Sequence, residues 1–255
     1  MKLLLGKLLF VFAFVLTSCM SPRVYVPAMP ATPLFEKKKD VYTEFNGNVF
    51  GMTGACFGAA LTDNIGAYAA VSAHFGSNDN ELFSPKNSFT TKTVNYTFGL
   101  GMFRNRIVSE KKRLEGFVEY TSGVFEASAS SKKTINSKPV YQNAFLDGKY
   151  NQWSVNLNRS IKDENALMCI SLGLGFTHFF DYTNEMDEPI DEVMARLKND
   201  KLFGFGDLGF NFMLGKGAVK FKCQLLMSYS IMPLNIERNL GVNFYNTFGL
   251  VYMPR

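Results

Sequence analysis

Beyond residue 40, large apolar residues recur at every second position. Val94, Tyr96, Phe98, Leu100 and Met102 share one parity, and Thr93, Asn95, Thr97, Gly99 and Gly101 the other. The same period separates Met168, Ile170, Leu172, Leu174 and Phe176 from Cys169, Ser171, Gly173, Gly175 and Thr177. It separates Val219, Phe221, Cys223, Leu225, Met227 and Tyr229 from Lys220, Lys222, Gln224, Leu226, Ser228 and Ser230, and Trp153, Val155 and Leu157 from Ser154, Asn156 and Asn158. A period of two belongs to β-strands, whose successive side chains point to opposite faces. Bounded by turn residues, it predicts about ten strands, over 41–51, 55–62, 65–75, 91–103, 113–126, 150–159, 166–180, 201–214, 218–231 and 241–253.

One face of these strands is large and apolar, the other small and polar. A water-soluble barrel turns its large apolar residues inward, whereas a narrow membrane barrel turns them to lipid and fills its interior with small and polar groups. Alternation by itself does not choose between the two. Strand length favours the membrane, because five or six apolar positions per face need strands long enough to cross a tilted bilayer. Loop parity agrees. The connections 76–90, 127–149, 181–200 and 232–240 are long, while 63–64, 104–112, 160–165 and 215–217 are shorter and alternate with them; the first hairpin, 52–54, is the exception. The expected fold is therefore all-β: an antiparallel up-and-down membrane β-barrel of about ten strands, with one short helix in a long loop at Met186–Leu197, where acids precede bases. A soluble, lipocalin-like barrel carrying an apolar ligand is the alternative.

The first forty residues are different. Lys2 and Lys7, the apolar run Leu8–Leu16, and the small Thr17 and Ser18 form a secretory signal over 1–18, too short to span a bilayer. The ending Leu16-Thr17-Ser18-Cys19 resembles the lipobox of bacterial lipoproteins, which implies that Cys19 is the site of lipid attachment and the first residue of the mature chain. Residues 19–40, with Pro22, Pro27, Pro30 and Pro33, read as a proline-rich tether partly laid along the barrel end by Tyr25, Leu34 and Phe35, and 41–255 as the barrel domain. The stretch Tyr25-Val26-Pro27, Pro33-Leu34-Phe35 and Lys37, with Ala60-Leu61-Thr62-Asp63-Asn64-Ile65-Gly66, is similar to a group of lipoproteins from Bacteroidetes-type bacteria that carry a predicted outer-membrane β-barrel. That resemblance implies location and fold, and carries over no activity. The expected location is the outer membrane of a Gram-negative bacterium. Met20-Ser21-Pro22-Arg23 lacks the acidic run that resembles a surface-export signal, so the anchor is expected in the periplasmic leaflet.

Composition adds mostly exclusions. Without residues 1–18 the chain holds 25 basic and 22 acidic residues, a charge of +3 too mild to point to nucleic acid. A mean hydropathy of −0.02 is low for a helical membrane protein and ordinary for alternating strands. Cys56 and Cys169 fall on the polar parity and Cys223 on the apolar one. An odd number of cysteines besides Cys19, spread around a barrel roughly 20 Å across, predicts free thiols. His74 and His178 end strands beside aromatics, and His178 has no adjacent serine, so the reading expects no catalytic residue and no enzyme; a lipid hydrolase would need a His–Ser–acid cluster that the sequence does not assemble. Cys, His and carboxylates never stand at metal-ligand spacing, Gly204-Phe205-Gly206 lies within a strand, and no cofactor is expected. Lys220 and Lys222 should pair with Glu44, Glu115 or Glu119 inside the barrel. The expected partners are outer-membrane lipid and, through 76–90, 127–149 and 181–200, an extracellular ligand or an envelope protein.

Overall fold

Ten antiparallel strands close on themselves in sequence order, β1 pairing with β10 to complete the ring. The computed structural model describes residues 31–48, 51–79, 87–105, 112–135, 138–162, 166–186, 201–231 and 242–254. The strands are β1 (Val41–Gly47), β2 (Met52–Ala60), β3 (Ile65–Asp79), β4 (Asn87–Asn105), β5 (Lys112–Ile135), β6 (Lys138–Lys162), β7 (Ala166–Met186), β8 (Leu202–Leu214), β9 (Val219–Ile231) and β10 (Val242–Tyr252). Closure satisfies every strand edge with a neighbour, which is what a sheet surrounded by lipid requires. Among the described residues no helix is long and apolar enough to cross a membrane.

The large apolar face points outward. Tyr96, Phe98, Leu100 and Met102 are 55–67% exposed, whereas Thr93, Asn95 and Thr97 of the opposite parity are buried. Met168, Ile170, Leu172, Leu174 and Phe176 are likewise exposed around buried Cys169, Ser171 and Thr177. This separates the membrane barrel from the soluble carrier, whose apolar face would be inside. On β5 the belt runs from Leu114 to Val124, ten steps at about 3.3 Å; tilted by about 40°, they rise about 25 Å, the height of a lipid-facing band. Just past this belt the exposed ion pairs Lys92–Glu126 (2.7 Å) and Lys149–Asp181 (2.6 Å) lie on the outer surface.

The wall is uneven. Strands β4 to β7 have 19, 24, 25 and 21 residues, while β8, β9, β10, β1 and β2 have 13, 13, 11, 7 and 9. Here the structure corrects the sequence reading. Most of 127–149 is not a loop: β5 continues to Ile135 and β6 starts at Lys138, paired along their length, and the ends of 76–90 belong to β3 and β4. Past the belt a strand no longer needs an apolar face, so its hydropathy signal stops while the hydrogen-bonded ladder continues. The helix expected at Met186–Leu197 lies outside the described residues except for Met186, which ends β7.

The connections 61–64 and 215–218 lie at one end of the barrel, the turn end, together with the start of β1, the end of β4, the start of β5, the end of β6, the start of β7 and the end of β10. The other is the hairpin end. Gly51 there has φ +85, and a Cβ on it would come within 2.0 Å of the Phe75 carbonyl oxygen, so only glycine lets this connection fold back onto β3.

Candidate functional site in the barrel lumen

At the turn end, residues 31–35 are buried in the mouth of the barrel, and the chain emerges from it at Glu36. Leu34 and Phe35 are 0% and 1% exposed and join a buried cluster with Tyr42, Tyr68, Phe103 and Phe117. The Phe35 ring has room because Gly66 faces it; a Cβ there would stand 2.5 Å from the ring. Leu34 adopts φ +57, unfavourable for a leucine, and its full burial offsets that strain. The backbone of the segment is held by side chains of the wall. The Phe35 N–H donates to Glu115 Oε1 at 2.8 Å, Arg113 Nη1 donates to the Leu34 carbonyl at 3.3 Å, and Asn158 Nδ2 donates to the Ala31 carbonyl at 3.4 Å. Arg113 and Lys162 both meet the Glu36 carboxylate, at 2.5 and 3.1 Å. Partial burial pushes the Glu36 carboxyl up, but the two cations outweigh it and hold it below its ordinary value. A recess of about 110 Å³ lies beside this segment, bounded by Pro33, Lys37, Asp40, Val41, Met253 and Pro254.

Above the plug the lumen is packed with polar groups in two knots. Lys222 Nζ lies 2.8 Å from both oxygens of Glu44, which also accepts from the Tyr42 hydroxyl and, at 3.0 Å, from Asn46 Nδ2. Both charges are almost wholly buried. The second knot centres on Glu119, which accepts from the Tyr68 hydroxyl, from Asn156 Nδ2 and, at 3.1 Å, from Ser154 Oγ. Nearby, the Thr97 and Thr121 hydroxyls share a hydrogen bond of 2.8 Å. Buried carboxylates persist in a low-dielectric interior only when so surrounded. Towards the hairpin end, Phe125, Tyr150, Phe179 and Phe203 form a ring cluster with centroids 5.4–6.3 Å apart, Phe179 meeting Phe125 and Phe203 edge to face and Tyr150 tilted against Phe125 and Phe179, and the Tyr150 hydroxyl donates to Asn95 Oδ1.

Of the residues singled out from sequence, Lys222 makes the expected pairing, with Glu44, while Lys220 donates to the Gly215 carbonyl at 3.0 Å. Glu115 and Glu119 are engaged by the plug backbone and by neutral donors. His74 is buried inside and His178 faces outward, stacked on Phe180 at 6.0 Å, so the two histidines belong to opposite sides of the wall. Cys56, Cys169 and Cys223 are free, the first two buried. Cys19 lies outside the described residues. Among those residues, no group of three or more His, Cys, Asp and Glu could hold a metal ion. Sequence lays the tether along the barrel end by Tyr25, Leu34 and Phe35; the structure instead docks Leu34 and Phe35 inside the mouth, for which the one signal is an apolar pair isolated in a polar, proline-rich stretch.

No family model and no curated protein matches the chain. Solved structures do. The outer membrane protease OmpT from Escherichia coli superposes with a TM-score of 0.50 at 9% identity, over 85% of this chain and 94% of that one. The translocator domain of the autotransporter NalP from Neisseria meningitidis gives 0.46 at 10% identity over 86% and 89%, and LpxR from Salmonella typhimurium 0.35 at 8% over 84% and 99%. The class is thus a membrane β-barrel with the fold of outer-membrane proteins. This corrects the expectation that the chain is no enzyme: OmpT, a protease, is built on the same fold. A barrel wall brings together side chains from strands far apart in sequence, so the lack of a spaced motif was no ground for excluding catalysis.

Proposed function

We propose that this protein is a lipid-anchored outer-membrane β-barrel whose lumen is closed to free diffusion and whose hairpin end is a contact surface for an extracellular ligand or an envelope protein. The observation that carries the reading is the height of β4 to β7. Past the level of the Lys92–Glu126 pair, β5 runs nine further residues to Ile135, about 30 Å of paired strand beyond the belt. A projection of that length serves no purpose in holding the belt in lipid, and presents backbone and side chains to whatever lies outside. The plug and the two polar knots support closure, since they occupy the lumen with buried, mutually bonded groups. An even strand number brings both ends of the barrel to the turn end, which then faces the periplasm, where the diacylglyceryl group on Cys19 enters the adjoining leaflet.

Two measurements on intact cells test this reading. Cys19→Ala should abolish incorporation of labelled fatty acid, and trypsin added outside should cut at Lys132 or Lys133 near the tip of β5 while sparing a tag after Arg255. Labelling that persists in the variant removes the anchor, and loss of the tag with the β5–β6 tip intact inverts the topology.

A further inference from the structure

The lipid face is not uniform at its turn-end margin. Arg104 on β4, Lys112 on β5 and Arg159 on β6 have outward parity, on three adjacent strands. Arg104 is opposite Leu114, and Leu114 is opposite Arg159, so the two arginines flank one exposed leucine at about 10 Å from each other; Lys112 sits two residues below that leucine. None of the three makes a hydrogen bond or ion pair among the described residues, and no described carboxylate shares the outward face of that margin. The lysines at the opposite margin differ: Lys92 and Lys149 are neutralised by Glu126 and Asp181. Above Leu114 the next outward position is Gly116, between Met102 and Leu157 in register, and Leu157 Cδ2 leans over it to 3.3 Å from where a Cβ would stand, so an apolar surface continues from the cations up the belt.

We propose that Arg104, Lys112 and Arg159 hold the phosphate of an anionic glycerophospholipid in the turn-end leaflet, with its acyl chains lying against the outward apolar residues Leu114, Met102 and Leu157. The proposal rests on the membrane-barrel reading above. Three cations at the rim of a lipid belt, with no carboxylate beside them among the described residues, suit an anion at headgroup depth; a phosphodiester supplies one, and guanidinium groups on either side of Leu114 have the donors for its oxygens. The tails bring the apolar contact that a free phosphate lacks.

The test uses the full-length barrel reconstituted in vesicles of phosphatidylcholine with phosphatidylglycerol, then extracted and weighed by native mass spectrometry with its retained lipid. The wild type should retain phosphatidylglycerol over phosphatidylcholine by about tenfold. R104Q/R159Q should reduce that to near parity, each single variant should lower it severalfold, and K92Q, at the other margin, should leave it unchanged; heat-modifiable migration on a gel shows which variants are folded. Equal retention of the two lipids by the wild type, a preference untouched by R104Q or R159Q, or stronger retention of a lipid A diphosphate in a competing mixture overturns the proposal. A barrel that does not insert in vesicles at all overturns the membrane reading beneath it, which keeps the two failures apart.

Discussion

At the turn end the lumen is closed by a segment from outside the sheet, Ala31–Glu36, held by Arg113, Glu115, Asn158 and Lys162; at the hairpin end it is closed by Phe125, Tyr150, Phe179 and Phe203, which belong to the strands themselves. The difference lies in what each closure depends on. The aromatic group cannot leave without opening the sheet, because its side chains grow from β5, β6, β7 and β8. The plug can leave while all ten strands stay paired, because only side-chain contacts and a few backbone bonds, such as Lys39 N–H to the Ala60 carbonyl at 3.0 Å, join it to the wall. One end is therefore as stable as the barrel, and the other has a stability of its own.

The largest effect should come from the middle, which both ends share. Glu44→Ala strands the Lys222 ammonium without its carboxylate and should destabilise the whole barrel by about 3–5 kcal/mol. It should lower the temperature at which the folded, fast-migrating form disappears from gels, with plug and aromatic end lost together. Loss of the plug alone would show that the pair serves only the turn end.

A smaller and local effect should follow from Gly66→Val. The new side chain occupies the space of the Phe35 ring, so residues 31–40 should become open to added protease while heat-modifiable migration is kept. If the whole barrel melts with the plug, the two closures are one cooperative unit and the contrast fails.

The smallest effect is set by pH. Because Glu36 is held below its ordinary value of 4.5 by Arg113 and Lys162, its contribution to plug docking is fully present above that value and is lost as the pH falls through the lowered one. Hydrogen exchange at the Phe35 amide should thus stay slow from pH 7 down to about 4.5 and then quicken, with the aromatic end unaffected. Protection already lost near neutrality, or held well into acid, would show that Glu36 does not fasten the segment.

Sequence by itself determined the ten strands, the direction each face points once length and loop parity are weighed, the free cysteines Cys56, Cys169 and Cys223, and the pairing of Lys222 with one of three named acids. These follow from local alternation, from the short reach of a disulfide and from the need of a buried charge for a partner, and each can be read within a strand or between two. Only the tertiary structure decided which acid Lys222 meets, since β1 and β9 become near neighbours through β10 alone. It also decided how far β5 and β6 run past the belt, where pairing continues without an apolar face to betray it. The docking of Leu34 and Phe35 depended on the tertiary structure for the same reason: the Phe35 ring needs the gap at Gly66 on β3, and its amide needs Glu115 on β5, two positions that come together only when the barrel closes.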